Sequence, residues 1–434
     1  MSKNIDILKN KMILETHILS NVHSVTISMN FRVGSLYEKE NEKGLTHLVE
    51  HLFYRRLYDL SQADLYDKMH RLGTEIIGKT YDDYVSFSVT VVPEFFIEVV
   101  NIITKILYEF QWTDKEIEAE KNVVIRQIEN SYENYTQWVD GCYLKDTLYS
   151  MPIMGTEESV LKLEPSKINF WKNRYFTPAN CCMVITGNIT VEEINIVKTI
   201  VSSFSAEKTS NYKYNRIISK PAYFAERNQN NRYNFSKTDN NFSEIIIYFD
   251  VDDKLEYEKV RLLVSILGEG CGSKLSMILR EKYSVTDDVF IRLTSYYAFS
   301  NIIIYFTVKN IYIYRAITLF FSVLQDFCNN ITEDDYESSI HFFTENQLMD
   351  LDDAKSLNNF YVLSDFVLGS AITSNLISEP IERKKRYERI GIEELLVCAK
   401  SIFVPENISF LLETSENTDK LSDYIESQIS KLCD

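Results

Sequence analysis

Along the first ninety or so residues, apolar and polar positions alternate in the period-two manner of strands with one buried face. Met12-Ile-Leu-Glu-Thr-His-Ile18 and Val25-Thr-Ile-Ser-Met-Asn-Phe31 are two such runs, and their simplest arrangement is an antiparallel pair. Gly34 and the charged run Glu38 to Lys43 break the alternation and lead into Leu45 to Arg56, an unbroken stretch of helix-compatible residues. A second helix is predicted from Ser61 as N-cap, with Asp64 three residues on, to Gly73 as its C-terminal stop. Thr74 to Val92 reads as an extended pair around a Tyr81-Asp-Asp83 turn, with near-strict alternation from Tyr84 onward. Pro93 opens an apolar-rich helix to about Phe110. Thr113-Asp-Lys-Glu116 is a capping box for a long helix past Gln127, which carries Glu116, Glu118, Glu120, Glu129 and Glu133.

The same designs return later. Tyr175-Phe-Thr-Pro-Ala-Asn-Cys-Cys-Met-Val-Ile-Thr-Gly187 is an X-Pro turn feeding a buried strand, and Phe403-Val-Pro-Glu-Asn-Ile-Ser-Phe-Leu-Leu412 repeats it. Ile331-Thr-Glu-Asp-Asp335 likewise echoes Trp112 to Glu116. The echoes lie about 220 residues apart, the signature of a tandem duplication. Two homologous halves therefore replace the roughly three domains that length alone suggests. The expected division is 1–215, a linker at 216–242 where Asn, Lys, Tyr and Ser dominate, and 243–434. In the second half, strand Ile245 to Phe249 and helix Lys254 to Leu267 lead to Gly272–Lys282, the counterpart of Leu45 to Arg56 by the repeat offset.

Composition narrows the function classes. With 45% hydrophobic and 25% charged residues, the chain is an ordinary soluble globular protein. Met1 to Asn10 is charged, and nothing later reaches about 18 uncharged apolar residues, so neither a signal peptide nor a membrane span is expected and the location reads as cytoplasmic. A net charge of -17 argues against nucleic acid as a partner; it suits a cationic peptide or simple solubility equally. The seven cysteines (Cys142, Cys181, Cys182, Cys271, Cys328, Cys398, Cys433) are an odd set without C-x-x-C spacing, which argues against both a disulfide framework and a cysteine zinc site.

One stretch specifies chemistry. In Gly44-Leu-Thr-His-Leu-Val-Glu-His-Leu-Phe-Tyr-Arg-Arg56, His47 and His51 are four apart and share one helix face, with Glu50 beside them. Two neutral imidazoles can fix a zinc ion, and the carboxylate can take a proton from its bound water, whose pKa falls to about 7. Histidine pairs also pack on helices without binding anything. With six histidines in 434 residues, however, this H-x-x-E-H order arises by chance at about one per cent or less. The segment Gly272–Lys282 has no histidine, so the second half is expected to be metal-free.

Histidine helix, capped glutamate-rich helix, Phe-x-Pro-x-Asn strand and metal-free second repeat together resemble the pitrilysin and mitochondrial processing peptidase family, in its short two-domain form, over nearly the whole chain. The resemblance implies an α+β fold: a tandem repeat of two homologous domains, each an antiparallel sheet with helices packed on one face. It implies that two chains, a homodimer or an unequal pair, close around a chamber that admits unfolded peptides. It also implies that His47 and His51 bind Zn2+ and that Glu50 is the general base. The family's third ligand is a glutamate; in Glu118-Ala-Glu120-Lys-Asn-Val-Val-Ile-Arg-Gln127 that position is Gln127, with Glu120 as the supporting acid. An amide oxygen brings no charge, so zinc is held less tightly, and Glu120, about 10.5 Å away along the helix, does not replace it.

Substrate binding is expected from Ile77, Gly78 and Thr80 on an edge strand, where Ile77-Gly78 stands in place of the family's Asn-Ala. Arg280 in Leu279-Arg-Glu-Lys282 is the expected backbone clamp, while the family's tyrosine seven residues later is Asp287. The expected activity is that of a zinc-dependent endopeptidase cleaving short or unfolded peptides as one subunit of a two-chain assembly, in the role of maturing a ribosomally made peptide. The alternative is a non-catalytic pseudopeptidase that binds peptide and supports an active related chain. A purely structural scaffold is a third reading, opposed by the intact H-x-x-E-H.

Overall fold

The computed structural model describes residues 2–130, 143–144, 149, 152–205, 233–252, 255–295, 300–349, 352–363, 366 and 380–433. The chain divides into two compact units, Met1–Asn215 with Met349–Ile377, and Arg216–Leu348 with Ser378–Asp434. The first unit therefore takes in a stretch that the sequence reading had placed within 243–434.

The first unit is built on strands β1 (Ser2–Ile7), β2 (Ile13–Ile18), β3 (Val25–Phe31), β6 (Ile77–Thr80), β7 (Val85–Val91) and β8 (Cys181–Gly187), with a small separate hairpin of β4 (Arg56–Leu57) and β5 (Leu60–Ser61). The order is β1-β2-β8-β3-β7-β6. β2 and β3 are thus not the pair that alternation suggested. β8 lies between them, antiparallel to β3 and parallel to β2. The reason is in β8 itself, whose apolar run leaves no polar face to give to water and so requires burial on both sides. Cys181, Met183 and Ile185 enter the main core, while Cys182 and Val184 pack against Leu357, Tyr361, Val362 and Phe366 on the other face.

That second face is covered by the helix Ala354–Tyr361, so helices do not lie on one face alone. Its contacts are polar as well as apolar. Asn358 Nδ2 donates to Val184 O at 2.9 Å, Thr186 Oγ1 donates to Ala354 O at 2.6 Å, and the His17 ring stacks on Tyr361.

On the main core face lie α1 (Leu45–Arg55), α2 (Gln62–Arg71), α3 (Phe96–Ile103) and α4 (Asp114–Asn130). Both predicted caps are present. Ser61 accepts from the Asp64 amide, and at the start of α4 the Thr113 hydroxyl accepts from the Glu116 amide while the Glu116 carboxylate accepts from the Thr113 amide. The helix expected from Pro93 to Phe110 is shorter: α3 is flanked by 3-10 turns at Pro93–Phe95 and Thr104–Leu107. Glu133 lies outside the described residues.

The approach to α4 is held by a buried lysine. Lys172, on the helix Pro165–Tyr175, is 1% exposed; its Nζ donates to the carbonyls of Tyr108 and Phe110 and sits 4.0 Å from the centre of the Phe110 ring. Burial pushes its pKa down to about 7. The folded protein then holds this proton less tightly than the unfolded chain does. The resulting penalty, on the order of 5 kcal/mol, is fully present below pH 7 and is relieved as pH rises toward the ordinary lysine value. Denaturant titrations should show the wild type gaining stability between pH 7 and 10 relative to Lys172→Met; a pH-independent difference would assign the lysine an unperturbed pKa.

The second unit holds β9 (Tyr233–Lys237), β10 (Phe242–Val251), β11 (Val289–Ser295), β12 (Ser300–Lys309) and β13 (Ile408–Thr414), in the order β11-β12-β10-β13-β9. This is the first sheet's order without β1, and the single parallel pair, β9 with β13, falls where β2 meets β8. The tandem repeat is therefore visible in strand connectivity. β9 lies inside the expected linker 216–242, of which 216–232 are outside the described residues. The counterpart of α1 is Ser276–Lys282, wound as a π-helix. Among the described residues, Asn310–Asn329 alone is long and apolar enough to cross a membrane, but Ile313, Ile317, Phe320, Leu324 and Phe327 are buried in the second core.

Candidate metal centre

α1 buries Leu45, Leu48, Val49, Leu52 and Phe53 in the core and packs against α4 and β6. Its helical spacing puts His47, Glu50 and His51 together, and one ligand atom from each lies within 4.8 Å of the others. His47 Nε2 is 3.2 Å from Gln127 Oε1 on α4. Two ligands bonded to one tetrahedral zinc at about 2.1 Å stand roughly 3.4 Å apart, so this hydrogen-bond separation also suits two neighbouring ligands. His51 Nδ1 is 3.1 Å from Glu120 Oε1, and Glu120 Oε2 accepts from Arg55 Nε at 2.9 Å. With Nδ1–H donated to Glu120, the His51 lone pair is left on Nε2.

Electrostatics suit these roles. Burial, with His51 nearby, pushes the His47 pKa down to about 3, so the imidazole is neutral and its lone pair is available at neutral pH. Burial likewise raises the Glu50 carboxyl above the ordinary range, toward that of a working general base. Two imidazoles, one amide oxygen and an adjacent carboxylate form a donor set that fits zinc, short of one charge.

β6 is the last strand of its sheet, and among the described residues its outer edge is open. Thr80 Oγ1 donates to Glu50 Oε2 at 3.3 Å. A β-carbon at Gly78 would overlap Glu50 Oε1 and the Tyr54 hydroxyl, so this glycine allows the strand to lie against the carboxylate. Ile77 alternates to the opposite side. Gly78→Ala is expected to push Glu50 and Tyr54 off β6 and to cost about 1–3 kcal/mol of stability, a loss read by denaturant titration beside an unchanged circular dichroism spectrum.

His47, Glu50, His51, Glu120, Gln127, Gly78 and Thr80 thus converge. Arg280 belongs to the second unit, where it lies near Glu281 and Cys271. The sequence reading missed Arg55 and Tyr54. Arg55 was findable, being four residues after His51 on the same helix face.

Two family models match the chain: one described as Insulinase (Peptidase family M16) over residues 16–156, the other as Peptidase M16 inactive domain over residues 162–342. The chain belongs to peptidase family M16. The first match contains His47, Glu50, His51 and Gln127, and the second runs from the end of the first half into the helix Glu333–Met349. Among M16 relatives, an uncharacterized zinc protease of Rickettsia felis is 23% identical over 288 residues, 64% of this chain and 67% of that protein. The mitochondrial-processing peptidase subunit beta of Caenorhabditis elegans is 22% identical over 175 residues, 39% of this chain and 38% of that one. Among solved M16-like folds, a protease from Helicobacter pylori superposes with a TM-score of 0.81 at 14% identity, over 95% of this chain and 99% of that one. A Pseudomonas fluorescens structure named as a peptidase M16 inactive domain gives 0.80 at 13% identity, over 96% and 98%. At the level of the family, this M16 chain is a metallopeptidase-type protein, and its relatives are named for zinc.

Proposed function

We propose that this chain is a zinc-dependent endopeptidase acting on short or unfolded peptides. The observation that carries the reading is the His47 to Gln127 contact at ligand spacing, beside a His51 already oriented by Glu120. His47, His51 and Gln127 hold the metal. A bound zinc ion supplies polarisation of the scissile carbonyl and a water acidified to a pKa of about 7. Glu50 takes the proton of the attacking water and delivers it to the leaving amine, with Thr80 holding one of its oxygens in place. The open edge of β6 accepts the peptide as an added strand through backbone hydrogen bonds.

A related second chain, in a homodimer or an unequal pair, completes the peptide-binding chamber, with Arg280 as a backbone clamp; the assembly works in the cytoplasm and matures a ribosomally made peptide. Gln127 favours one other reading, a pseudopeptidase subunit supporting an active relative. Metal analysis of the purified chain separates the two, together with cleavage of quenched unfolded peptides with and without chelator. Near-stoichiometric zinc and chelator-sensitive cleavage are expected. A metal-free chain that only stimulates a partner's cleavage would transfer the function to the second reading.

A further inference from the structure

The first turn of α1 has no cap of its own. Its N-cap is Gly44, in a left-handed conformation at φ +89 and with no side chain to accept from the free amides. The acceptor comes from upstream: Glu38 Oε1 accepts from the Thr46 amide at 2.6 Å, and Glu38 Oε2 accepts from the Gly44 amide at 3.0 Å. Glu38 is buried, and so are Lys43 and Ser35 beside it. A carboxylate seated on helix N-terminal amides is stabilised by charge-assisted hydrogen bonds and by the helix dipole.

The same segment grips the turn between β6 and β7. Ser35 Oγ donates to Asp82 Oδ1 at 2.9 Å, the Leu36 amide donates to Asp82 O, and Lys43 Nζ donates to Ser35 O at 2.8 Å. Gly34 lies so close to the carbonyls of Tyr81 and Asp82 that a β-carbon there would overlap both. On the far side, Thr46 Oγ1 accepts from Trp171 Nε1 at 3.2 Å, and Ser159 Oγ donates to Lys43 O at 2.8 Å. A short bridge, buried at Ser35, Glu38 and Lys43, thus joins the residue before His47 to the turn that follows Thr80.

We infer that Glu38 is a positioning residue, seating α1 and, through Ser35 and Asp82, fixing the spacing between the metal-bearing helix and the peptide-pairing strand. The inference deepens the endopeptidase reading and rests on it. What the bridge sets is the separation of Glu50 from Thr80 and Gly78, and so the position of the general base relative to a peptide laid on β6. Glu38→Gln places an amide N–H against one of two backbone donors and loosens the helix end. Ser35→Ala removes the side-chain bond to Asp82, keeps the backbone bond from Leu36 and leaves the helix cap intact, a milder change at the other end of the bridge.

Kinetics on a quenched peptide, combined with amide hydrogen exchange, tests this. Each variant should lower kcat by roughly tenfold or more with KM within about threefold, as misplacement without lost binding requires. The double variant should be no worse than the more impaired single, because both changes act on one run of contacts. Exchange should quicken in both Leu45–Arg55 and Ile77–Thr80 for either single variant. Multiplying losses in kcat, or faster exchange in α1 alone, would overturn the inference. Should the wild type prove unable to cleave, the endopeptidase reading fails, and the exchange data decide by themselves: joint acceleration keeps the bridge, and separate acceleration removes it.

Discussion

Glu50→Gln is expected to abolish peptide cleavage, by about 10² to 10⁴ in kcat, while zinc stays bound. The substitution is nearly isosteric, and its amide oxygen can still accept from Thr80 Oγ1, so the local packing of β6 on α1 is kept. What it removes is a basic oxygen in a buried position, where desolvation already makes the carboxylate hold a proton more tightly than in water. His47, His51 and Gln127 are untouched, and metal content should remain at the wild-type level. Cleavage at an undiminished rate would strip Glu50 of its role and leave the three-residue cluster as a binding site only.

Gln127→Glu should tighten zinc binding by at least about tenfold to a hundredfold, the range that changes in the outer shell alone already span. The side chain is in place: its oxygen is 3.2 Å from His47 Nε2, and α4 packs directly on α1. The change adds the negative charge that the present donor set lacks, beside a His47 that is itself buried, although the side chain at 127 is exposed. Without metal, the new carboxylate would stabilise protonated His47 and oppose the burial that now keeps it neutral. The gain should therefore be largest above neutral pH, where that competition fades. Competition against a chromophoric chelator measures it; equal affinities would place Gln127 outside the coordination sphere.

Local signals were legible wherever a pattern and its partner lie close in the chain. The α1 face, the Thr113 and Glu116 capping box, and the alternation of β7 all appear where periodicity and cap chemistry put them. Strand order was not legible, because no local rule says that β8 inserts between β2 and β3. Its unbroken apolar run did indicate burial on both faces, without saying what supplies the second cover. Glu38 shows a related limit: in a run of charges it reads as a solvated breaker, and only the fold reveals which carboxylate is buried under a helix end. Gln127 was located by resemblance, since a glutamine on a helix carries no chemical signature of its own.

The helix Ala354–Tyr361 has a consequence for how the protein is made. It closes the back of β3 and β8, burying Val184 and Cys182 and engaging the carbonyl of Val184, yet it is encoded after most of the second sheet. During synthesis, the first sheet must wait with that face open until the ribosome has passed Tyr361, a long loop to close and a period of exposed apolar surface. The same order of parts means that a fragment ending at Asn215 carries every candidate zinc ligand and still lacks one wall of its own core.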